Sequence, residues 1–468
     1  MKKMSLEQIA AACGGTYYGE DRLRKMEVTG VVTDSRKVEA GNLYIAIRGE
    51  RVDGHTFIPD VFEQGAAAAL SEEVLKDPAG PYILVGSCLQ ALKDIAEYYR
   101  LTLDLPVIGI AGSVGKTSTK EMIAAVLEQK YCVLKTEGNF NNEIGLPLTL
   151  LRIRPEHEAA VVEMGISDFG EMHRLAKMAR PDICVMTNIG PCHLENLIDL
   201  DGVLRAKSEI FDYLGEDGVI ILNGNDEKLA AIDEVNGIRP IRYFVFDGTA
   251  KPDSSVSERD AYFVTADSIE NLGLAGMEAV LHFPDEDCAI KEPIPGVHNI
   301  YNACAAACVG DVLGLTYAEI CAGIAAAKTL SGRANVIEAG GIVIIDDCYN
   351  ASPNAMRASL DVLSKANGRR IAVLGDMLEL GDNERALHRE VGAYAAESGI
   401  DRLYCSGELA KELADEAAAA GCDTRYCETK EALISELLSD IKKGDTVLVK
   451  ASHSMEFSDI VDELKKLS

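Results

Sequence analysis

Short apolar runs and one longer amphipathic segment organise the first hundred residues. The runs at residues 28–34, 43–48, 66–70 and 82–85 have the length and composition of strands. Residues 88–103 place their apolar side chains on one face of a helix. This helix ends shortly before Pro106, and a proline disfavours helical geometry in the residue before it, so the pattern predicts a domain boundary there.

From Pro106 onward, buried strands alternate with helices. Strands are predicted at Val107–Ala111, Ala159–Glu163, residues 183–187 and Val219–Asn223. This alternation is typical of a parallel sheet with crossover helices. Residues 238–293, with polar breaks at 251–259, are richer in β-branched and aromatic side chains and predict antiparallel strands appended to that sheet. An alanine-rich helix at residues 299–313 follows.

A second pattern of alternating strands and helices begins near Ser331. Its predicted strands are Ile342–Asp346, Arg370–Leu374, residues 402–405 and Thr446–Lys450. The 468 residues are enough for about three domains. The predicted fold class is α/β with a small N-terminal domain at residues 1–103, a central domain with a mostly parallel sheet at 104–330, and a Rossmann-like C-terminal domain at 331–468.

The chain is strongly acidic. It carries 75 Asp and Glu against 46 Lys and Arg, a formal net charge of −29. Such a surface repels nucleic-acid phosphates and anionic lipids, so neither is an expected partner. A phosphorylated ligand would have to be held locally, by backbone N–H groups, a few cations or a metal.

Targeting and redox signals point to the cytoplasm. No apolar run approaches the ~20 residues that cross a bilayer, so no membrane insertion is expected. Ser5 and Gln8 predict a capped N-terminal helix rather than a secretion signal. The 13 cysteines form no C-x-x-C pair, which argues against a disulfide framework or a zinc site.

The strongest local motif follows the strand Val107–Ala111, before a helix predicted at residues 119–128. It consists of Gly112, Ser113, Val114, Gly115, Lys116, Thr117 and Ser118. A glycine-rich turn that opens a helix presents N–H groups to phosphate. Lys116 would reach the β- and γ-phosphates and Thr117 would ligate Mg²⁺. The motif is shorter than the full P-loop pattern, whose first glycine would fall at Ile110, but its strand–turn–helix context predicts an ATP site.

Other polar residues stand at strand ends and helix starts. Glu163 ends an apolar strand and is a candidate second metal ligand, the alternative being a cap. His193 is either a metal ligand or an ordinary loop residue, and Lys207 has the position of a solvated helix lysine. Asn299 could merely cap the alanine-rich helix. Asp347, the second of two aspartates that end a predicted strand, fits a ligand crevice of an α/β sheet.

Taken in order, these segments resemble the Mur ligase family, the ATP-dependent amide-forming enzymes of peptidoglycan precursor synthesis. The resemblance rests on the short phosphate loop, Glu163-Met-Gly, the His193 loop, Ala206-Lys207-Ser-Glu, Gly296-Val-His-Asn and Gly332-Arg333. It runs over nearly the whole chain, from Thr33 to Lys450. It implies a ligase of cell wall biogenesis, and through it of cell shape and cell division.

Four stretches resemble the branch of the family that adds D-alanyl-D-alanine to UDP-N-acetylmuramoyl-tripeptide. They are residues 53–57, 136–147, 346–353 and 374–381. The branch that adds the third amino acid usually carries Asp-Asn-Pro-Arg in its last domain, and this sequence has none. The third residue of the acceptor peptide, meso-diaminopimelate or L-lysine, stays open.

The resemblance also implies roles for individual residues. Thr117 and Glu163 would hold one Mg²⁺, His193 would hold a second, and a carbamylated Lys207 would help to hold that second ion. The catalytic set would be these groups with Lys116. The nucleotide would be bound by residues 112–118 with Asn223, Asp226, Asn299, Asn302, Arg333 and Asp347. The other substrates would be bound by Ser35, Arg36, Asn142, Asn350 and Pro353.

The sequence departs from the family at three positions. The family usually reads Lys-Gly-Ser-Arg near the C-terminus, where this chain has Lys450-Ala451-Ser452-His453. Alanine restricts a turn that glycine makes freely, and histidine is a weaker anion ligand than arginine. Val114 replaces a polar residue common inside the phosphate loop, without changing the backbone N–H.

The implied reaction joins the two peptides through an acyl phosphate, in a protein expected to be a monomer. One alternative keeps the chemistry and changes the substrate, as in relatives of folylpolyglutamate synthase, which lack a UDP-binding module at the N-terminus. Another is an ATP-driven switch or binding module without ligation. The switch or binding module is disfavoured by the presence of four residues of the catalytic set, Lys116, Glu163, His193 and Lys207.

Overall fold

A computed structural model of the protein describes residues 4–49, 52–247 and 263–467. Its first part holds a five-stranded sheet in the order β2-β7-β6-β5-β4 and a two-stranded ribbon of β1 and β3. The strands are β1 Met4–Ser5, β2 Thr16–Tyr18, β3 Glu27–Val28, β4 Gly30–Val32, β5 Asn42–Ile45, β6 Ala68–Ser71 and β7 Tyr82–Leu84. The helices are Leu6–Ala12, Ile58–Glu63 and Cys88–Leu101. Ser5 and Gln8 form the predicted reciprocal cap of the first helix.

The middle part is built on a nine-stranded sheet in the order β16-β15-β14-β13-β12-β11-β8-β10-β9. Its strands are β8 Val107–Ala111, β9 Val133–Lys135, β10 Ala159–Glu163, β11 Ile183–Met186, β12 Val219–Asn223, β13 Ile241–Val245, β14 Phe263–Asn271, β15 Met277–His282 and β16 Asp287–Glu292. Its helices are Lys116–Leu127, Gly145–Leu150, Glu171–Ala179, Leu194–Leu197, Leu200–Ser208, Glu227–Ala230, Val297–Val312 and Tyr317–Ala325. β8 and β10 are buried at every position, as expected of parallel strands covered on both faces.

The third part is a six-stranded sheet in the order β17-β18-β22-β19-β20-β21. Its strands are β17 Asn335–Ala339, β18 Ile342–Asp346, β19 Arg370–Leu374, β20 Arg402–Ser406, β21 Thr424–Cys427 and β22 Thr446–Lys450. Its helices are Pro353–Ser364, Glu384–Glu397, Ala410–Ala419, Lys430–Asp440 and Ser458–Lys465. Only β17, at one edge, runs antiparallel to its neighbour.

The structure corrects one expectation about pairing. In the described part of the predicted antiparallel region, the pairs β12–β13 and β13–β14 are parallel, and the pairs β14–β15 and β15–β16 are antiparallel. Residue composition reveals a strand but not its partner, which explains the error. The polar breaks predicted at residues 251–259 lie outside the described residues. The predicted boundaries near residues 103 and 330 stay predictions.

The first and middle domains share one apolar core. The cluster runs from Leu6, Leu92 and Ile95 of the first domain to Ala160 and Leu175 of the middle one. Polar bonds reinforce this junction. The guanidinium of Arg100 is buried and donates to Asp182 at 2.8 Å and to the carbonyl of Ala179 at 2.9 Å.

The third domain has cores of its own on the two faces of its sheet. One contains Leu360, Val391 and Leu413, and the other contains Val447 and Phe457. Over the described residues, no helix combines the length and apolarity needed to cross a membrane.

One carboxyl group lies within the core of the middle domain. Glu292 ends β16, is fully buried, and both its oxygens lack a hydrogen-bond partner among the described residues. Burial raises the pKa of this group well above its ordinary range. The native protein therefore keeps a proton that the unfolded chain releases above about pH 4.3.

We expect Glu292→Gln to flatten the pH dependence of stability. Because the folded-state pKa is raised, the contribution of Glu292 to the stability of the wild-type protein should fall as pH rises above about 4.3, by at most about 1.4 kcal/mol per pH unit. A glutamine cannot ionise, so the free energy of unfolding of the variant should rise relative to that of the wild type over that range. Urea unfolding at several pH values measures the effect. Glu270→Gln, at an exposed position on β14, is the control, and equal slopes for wild type and Glu292→Gln would contradict the assignment.

Candidate active site

The candidate site lies at the carboxyl ends of the middle strands. β8 stands between β10 and β11. After β8, the chain first adds β9 and β10 on one side of it and then adds β11 and β12 on the other. Such a switch point opens a crevice in a parallel sheet. A cavity of about 1100 Å³ occupies it, and the third domain closes its far side.

The phosphate loop after β8 is held in shape by the loop after β11. Gly112 has φ +148° and a Cβ there would meet the Thr187 hydroxyl at 2.0 Å, so only glycine fits. The N–H groups of Ser113 and Val114 donate to the carbonyl and the side chain of Asn188, at 3.0 and 2.9 Å. The helix then begins at Lys116, and its first-turn N–H groups, which have no intrahelical acceptor, border the cavity.

Lys116 folds back over this loop. Its ammonium donates to the carbonyls of Gly112 at 2.9 Å and Ser113 at 3.4 Å. Burial lowers the pKa of Lys116, against the opposing charge of Glu163. The loop thus presents a cation and free N–H groups to the same volume, which suits a polyphosphate.

Glu163 and Thr117 form an oxygen pair next to Lys116. The Thr117 hydroxyl donates to Glu163 Oε2 at 2.9 Å, and Asn141 Nδ2 donates to Glu163 Oε1 at 2.8 Å. Over residues 4–49, 52–247 and 263–467, no group of three or more His, Cys, Asp and Glu could hold a metal. Magnesium usually takes only one or two protein oxygens and completes its shell with water and phosphate, so this donor pair fits Mg²⁺.

His193 and Lys207 lie on the same side of the cavity. His193 has φ +50°, and its Nδ1 is 2.7 Å from Glu379 Oε2 of the third domain. Burial, opposed by Glu379, lowers the pKa of His193. Lys207 is buried on its helix, and no hydrogen bond or ion pair of its ammonium is found in the described part of the chain. Burial and the charge of Lys116 lower the pKa of Lys207 to about 8.

Three of the four middle-domain asparagine and aspartate residues expected to bind the nucleotide border the cavity. Asn223, Asn299 and Asn302 are buried lining residues. Asn302 accepts from Thr119 at 2.7 Å and donates to Asn299 at 2.9 Å. Asp226 instead accepts from the backbone N–H groups of Ile189, Lys228 and Leu229, which ties the β11 loop to the next helix.

The third domain brings Arg333 to the phosphate loop. Its guanidinium donates to the Thr117 hydroxyl at 3.1 Å and stacks on the Tyr349 ring at 3.9 Å from the centroid. Asp347 is engaged differently, because its carboxylate pairs with the buried Lys450 at 2.6 Å and accepts from Ser359. Ala451 is buried, and the His453 ring lies 5.1 Å from that of Tyr349.

The residues expected to bind the other substrates are scattered. Ser35 and Arg36 form a short helical turn of the first domain, where Arg36 is exposed and lowers the pKa of Asp34 to about 2. Asn142 and Asn350 border the cavity. Asn142 caps the helix Gly145–Leu150. Pro353 is buried in the first turn of its helix and borders no part of the cavity.

Known proteins match nearly the whole chain. Three profiles match in succession: "Mur ligase family, catalytic domain" over residues 27–100, "Mur ligase middle domain" over 110–310, and "Mur ligase, glutamate ligase domain" over 332–453. The UDP-N-acetylmuramoyl-tripeptide–D-alanyl-D-alanine ligase of Bacillus subtilis is 38% identical over 472 aligned positions, covering 99% of each chain.

The chain belongs to the Mur ligase family.

Solved structures indicate the branch of the family to which this Mur ligase belongs. MurF from Acinetobacter baumannii superposes with a TM-score of 0.89 at 30% identity, covering 100% of this chain and 99% of that one. The MurF ligase of Thermotoga maritima, solved with ADP, gives a TM-score of 0.80 at 28% identity, with 94% and 97% covered. The expected three-domain α/β fold and the D-alanyl-D-alanine-adding branch are therefore confirmed.

Several residues of the Mur ligase site were not singled out from sequence. Asn188 shapes the phosphate loop, Asn141 holds Glu163, Tyr349 supports Arg333, and Glu379 meets His193. Asn141, Tyr349 and Glu379 stand inside stretches that resemble the family branch, which is the only sequence signal they carry. Asn188 and Glu379 act on partners from distant parts of the chain.

Proposed function

We propose that this Mur ligase joins D-alanyl-D-alanine to UDP-N-acetylmuramoyl-tripeptide with ATP, giving UDP-N-acetylmuramoyl-pentapeptide, ADP and phosphate. The observation that carries the proposal is the cavity in which the phosphate loop, Glu163 and Arg333 of the third domain meet. The names of its full-length relatives supply the substrates. We also propose a monomer acting in the cytoplasm, in keeping with its 13 free cysteines.

The first step activates the tripeptide. Its terminal carboxylate attacks the γ-phosphorus of ATP, the bond to the bridging oxygen breaks, and ADP leaves with that electron pair. Lys116 and the first-turn N–H groups of its helix would bind the β- and γ-phosphates. Arg333 would approach the transferring phosphoryl group from the third domain, opposite the loop, and offset its charge.

Thr117 with Glu163, and His193 with Lys207, would hold two Mg²⁺ ions. When bound, such ions neutralise phosphate charge and orient the reacting oxygens. Lys207 fits the expected carbamate because it is buried, has no anionic partner in the described part of the chain, and is readily deprotonated. Its neutral amine would add to CO₂ and lose a proton, which converts a buried cation into the oxygen ligand that the site otherwise lacks.

The second step forms the amide. The dipeptide ammonium loses a proton, the free amine attacks the acyl-phosphate carbonyl, and the carbon–oxygen bond breaks as phosphate leaves. Water would hydrolyse this intermediate, so the cavity must be closed while it exists. Two contacts close the third domain over the middle one, that of Arg333 with Thr117 and that of Glu379 with His193.

We expect phosphate release to require ATP, Mg²⁺, UDP-N-acetylmuramoyl-tripeptide and D-alanyl-D-alanine together. A coupled phosphate assay that omits each component in turn tests this, and mass spectrometry should find the pentapeptide. The same assay compares meso-diaminopimelate with L-lysine as the third residue. ATP hydrolysis that is indifferent to the dipeptide would reject the proposed acceptor.

A further inference from the structure

The incoming dipeptide carries an ammonium group, and the cavity offers six described carboxylates that could receive it. They are Glu121, Glu143, Glu163, Glu171, Asp347 and Glu379. A carboxylate that receives an ammonium must have open acceptor positions, because charge-assisted hydrogen bonds are the strong ones. The partners of each carboxylate therefore decide which of them can bind the amine.

Five of the six are occupied by the protein itself. Glu121 pairs with two lysines and Glu143 with Lys93 and Arg174. Glu171 accepts two backbone N–H groups. Glu163 is held by Thr117 and Asn141, and Asp347 by Lys450.

Glu379 has the fewest partners of the six. Over the described residues its single hydrogen-bonding or ion-pair partner is the His193 ring, and 62% of its side chain is exposed. A carboxylate has about four acceptor positions, so one imidazole N–H leaves most of them open. It also belongs to the third domain, which faces the phosphate loop across the cavity.

Hydrogen bonds to three other side chains fix the loop that carries Glu379. The N–H groups of Asp376, Met377 and Leu378 donate in succession to Met455 Sδ, His388 Nε2 and Ser452 Oγ, at 3.0, 2.9 and 2.9 Å. Glu379 itself has φ +64°, a left-handed conformation that is unfavourable for a non-glycine residue. Three fixed N–H groups and a strained residue hold the carboxylate beside His193, where the phosphate chemistry is proposed.

We propose that Glu379 binds the α-ammonium of the incoming dipeptide. This inference rests on the proposed function and assigns the amine-recognition residue within it. The ammonium donates to Glu379 on the third domain, and domain closure delivers the nitrogen to the side of the cavity where the acyl phosphate forms. After the nitrogen loses its proton, it is already next to the carbonyl it attacks.

Kinetics of Glu379→Gln test the proposal. The substitution removes a hydrogen bond between two charged groups. This loss should raise the KM for D-alanyl-D-alanine about 10- to 100-fold. The first step should be spared. With hydroxylamine in place of the dipeptide, an amine largely uncharged at neutral pH, the rate of hydroxamate formation should stay within about twofold of wild type. Asp382→Asn, an exposed residue in the same segment, is the matched control and should behave as wild type.

Two results would overturn the inference, and a third would overturn the proposed acceptor instead. An unchanged KM for the dipeptide means that Glu379 does not bind the amine. Equal losses of hydroxamate formation and ligation mean that Glu379 acts by orienting His193. A wild-type enzyme that shows no dipeptide-dependent turnover, although it makes hydroxamate, refutes the proposed acceptor rather than the role of Glu379. A thermal unfolding curve matching that of wild type confirms that the variant is folded.

Discussion

Lys207→Ala should reduce the rate of ligation about 100- to 1000-fold, the loss expected when a group that stabilises transition-state charge is removed. The wild-type side chain is buried and has no anionic partner among the described residues, and burial together with the charge of Lys116 lowers the pKa of Lys207 to about 8. Alanine leaves room where the carbamate would stand. Added formate or acetate should enter this space, supply the missing oxygens and restore part of the activity.

Two further measurements separate this role from a structural one. Lys116→Ala should also inactivate the enzyme but should not be rescued by carboxylates, because it removes a cation. Carbon-13 NMR of the wild-type protein in ¹³C-bicarbonate should show a carbamate signal that Lys207→Ala lacks. Full activity of Lys207→Ala would refute the carbamate.

Arg333→Ala should lower kcat about 100- to 1000-fold with a smaller change in the KM for ATP. The guanidinium crosses from the third domain to Thr117 and is fixed on the Tyr349 ring, the geometry of a cation inserted into a phosphate site. Such arginines contribute mainly to the transition state of phosphoryl transfer. Arg333→Lys should recover little, because lysine keeps the charge but loses the planar stacking and the fork of N–H groups.

The control for Arg333 is Arg357→Ala. Arg357 also belongs to the third domain and also stacks on a tyrosine, Tyr394, while pairing with Glu390 at the surface. It borders no described part of the cavity. Steady-state phosphate release by the two variants compares them directly, and equal losses would mean that Arg333 acts through domain stability.

Local features of the site could be predicted because their signals are contiguous. The phosphate loop was predicted from a strand, a turn and a helix that follow one another in the sequence, although the residue that excludes a side chain at Gly112 is Thr187 of another loop. Glu163 was found as a carboxylate at the end of an apolar strand, and the structure pairs it with Thr117. The alternation of strands and helices likewise predicted the mostly parallel middle sheet.

Features that join distant parts of the chain could not be predicted in this way. Arg333 meets Thr117 across 216 positions of sequence, and the hydrogen bonds of Lys450 with Asp347 span 103. Asp226 looks like a ligand residue in sequence, but three backbone N–H groups occupy its carboxylate. The parallel pairing of β13 with β14 was missed because strand composition carries no record of direction.

The apolar core shared by the first two domains sets how this enzyme can be divided into fragments. A cut near residue 103 would separate Leu92 and Ile95 from Ala160 and Leu175 and would expose an apolar face on both pieces. A cut near residue 330 would leave the third domain with both of its cores intact. In packing, therefore, the protein consists of two units rather than three. The first and middle domains form one unit, in which the first domain is fixed relative to the phosphate loop, and the third domain forms the other.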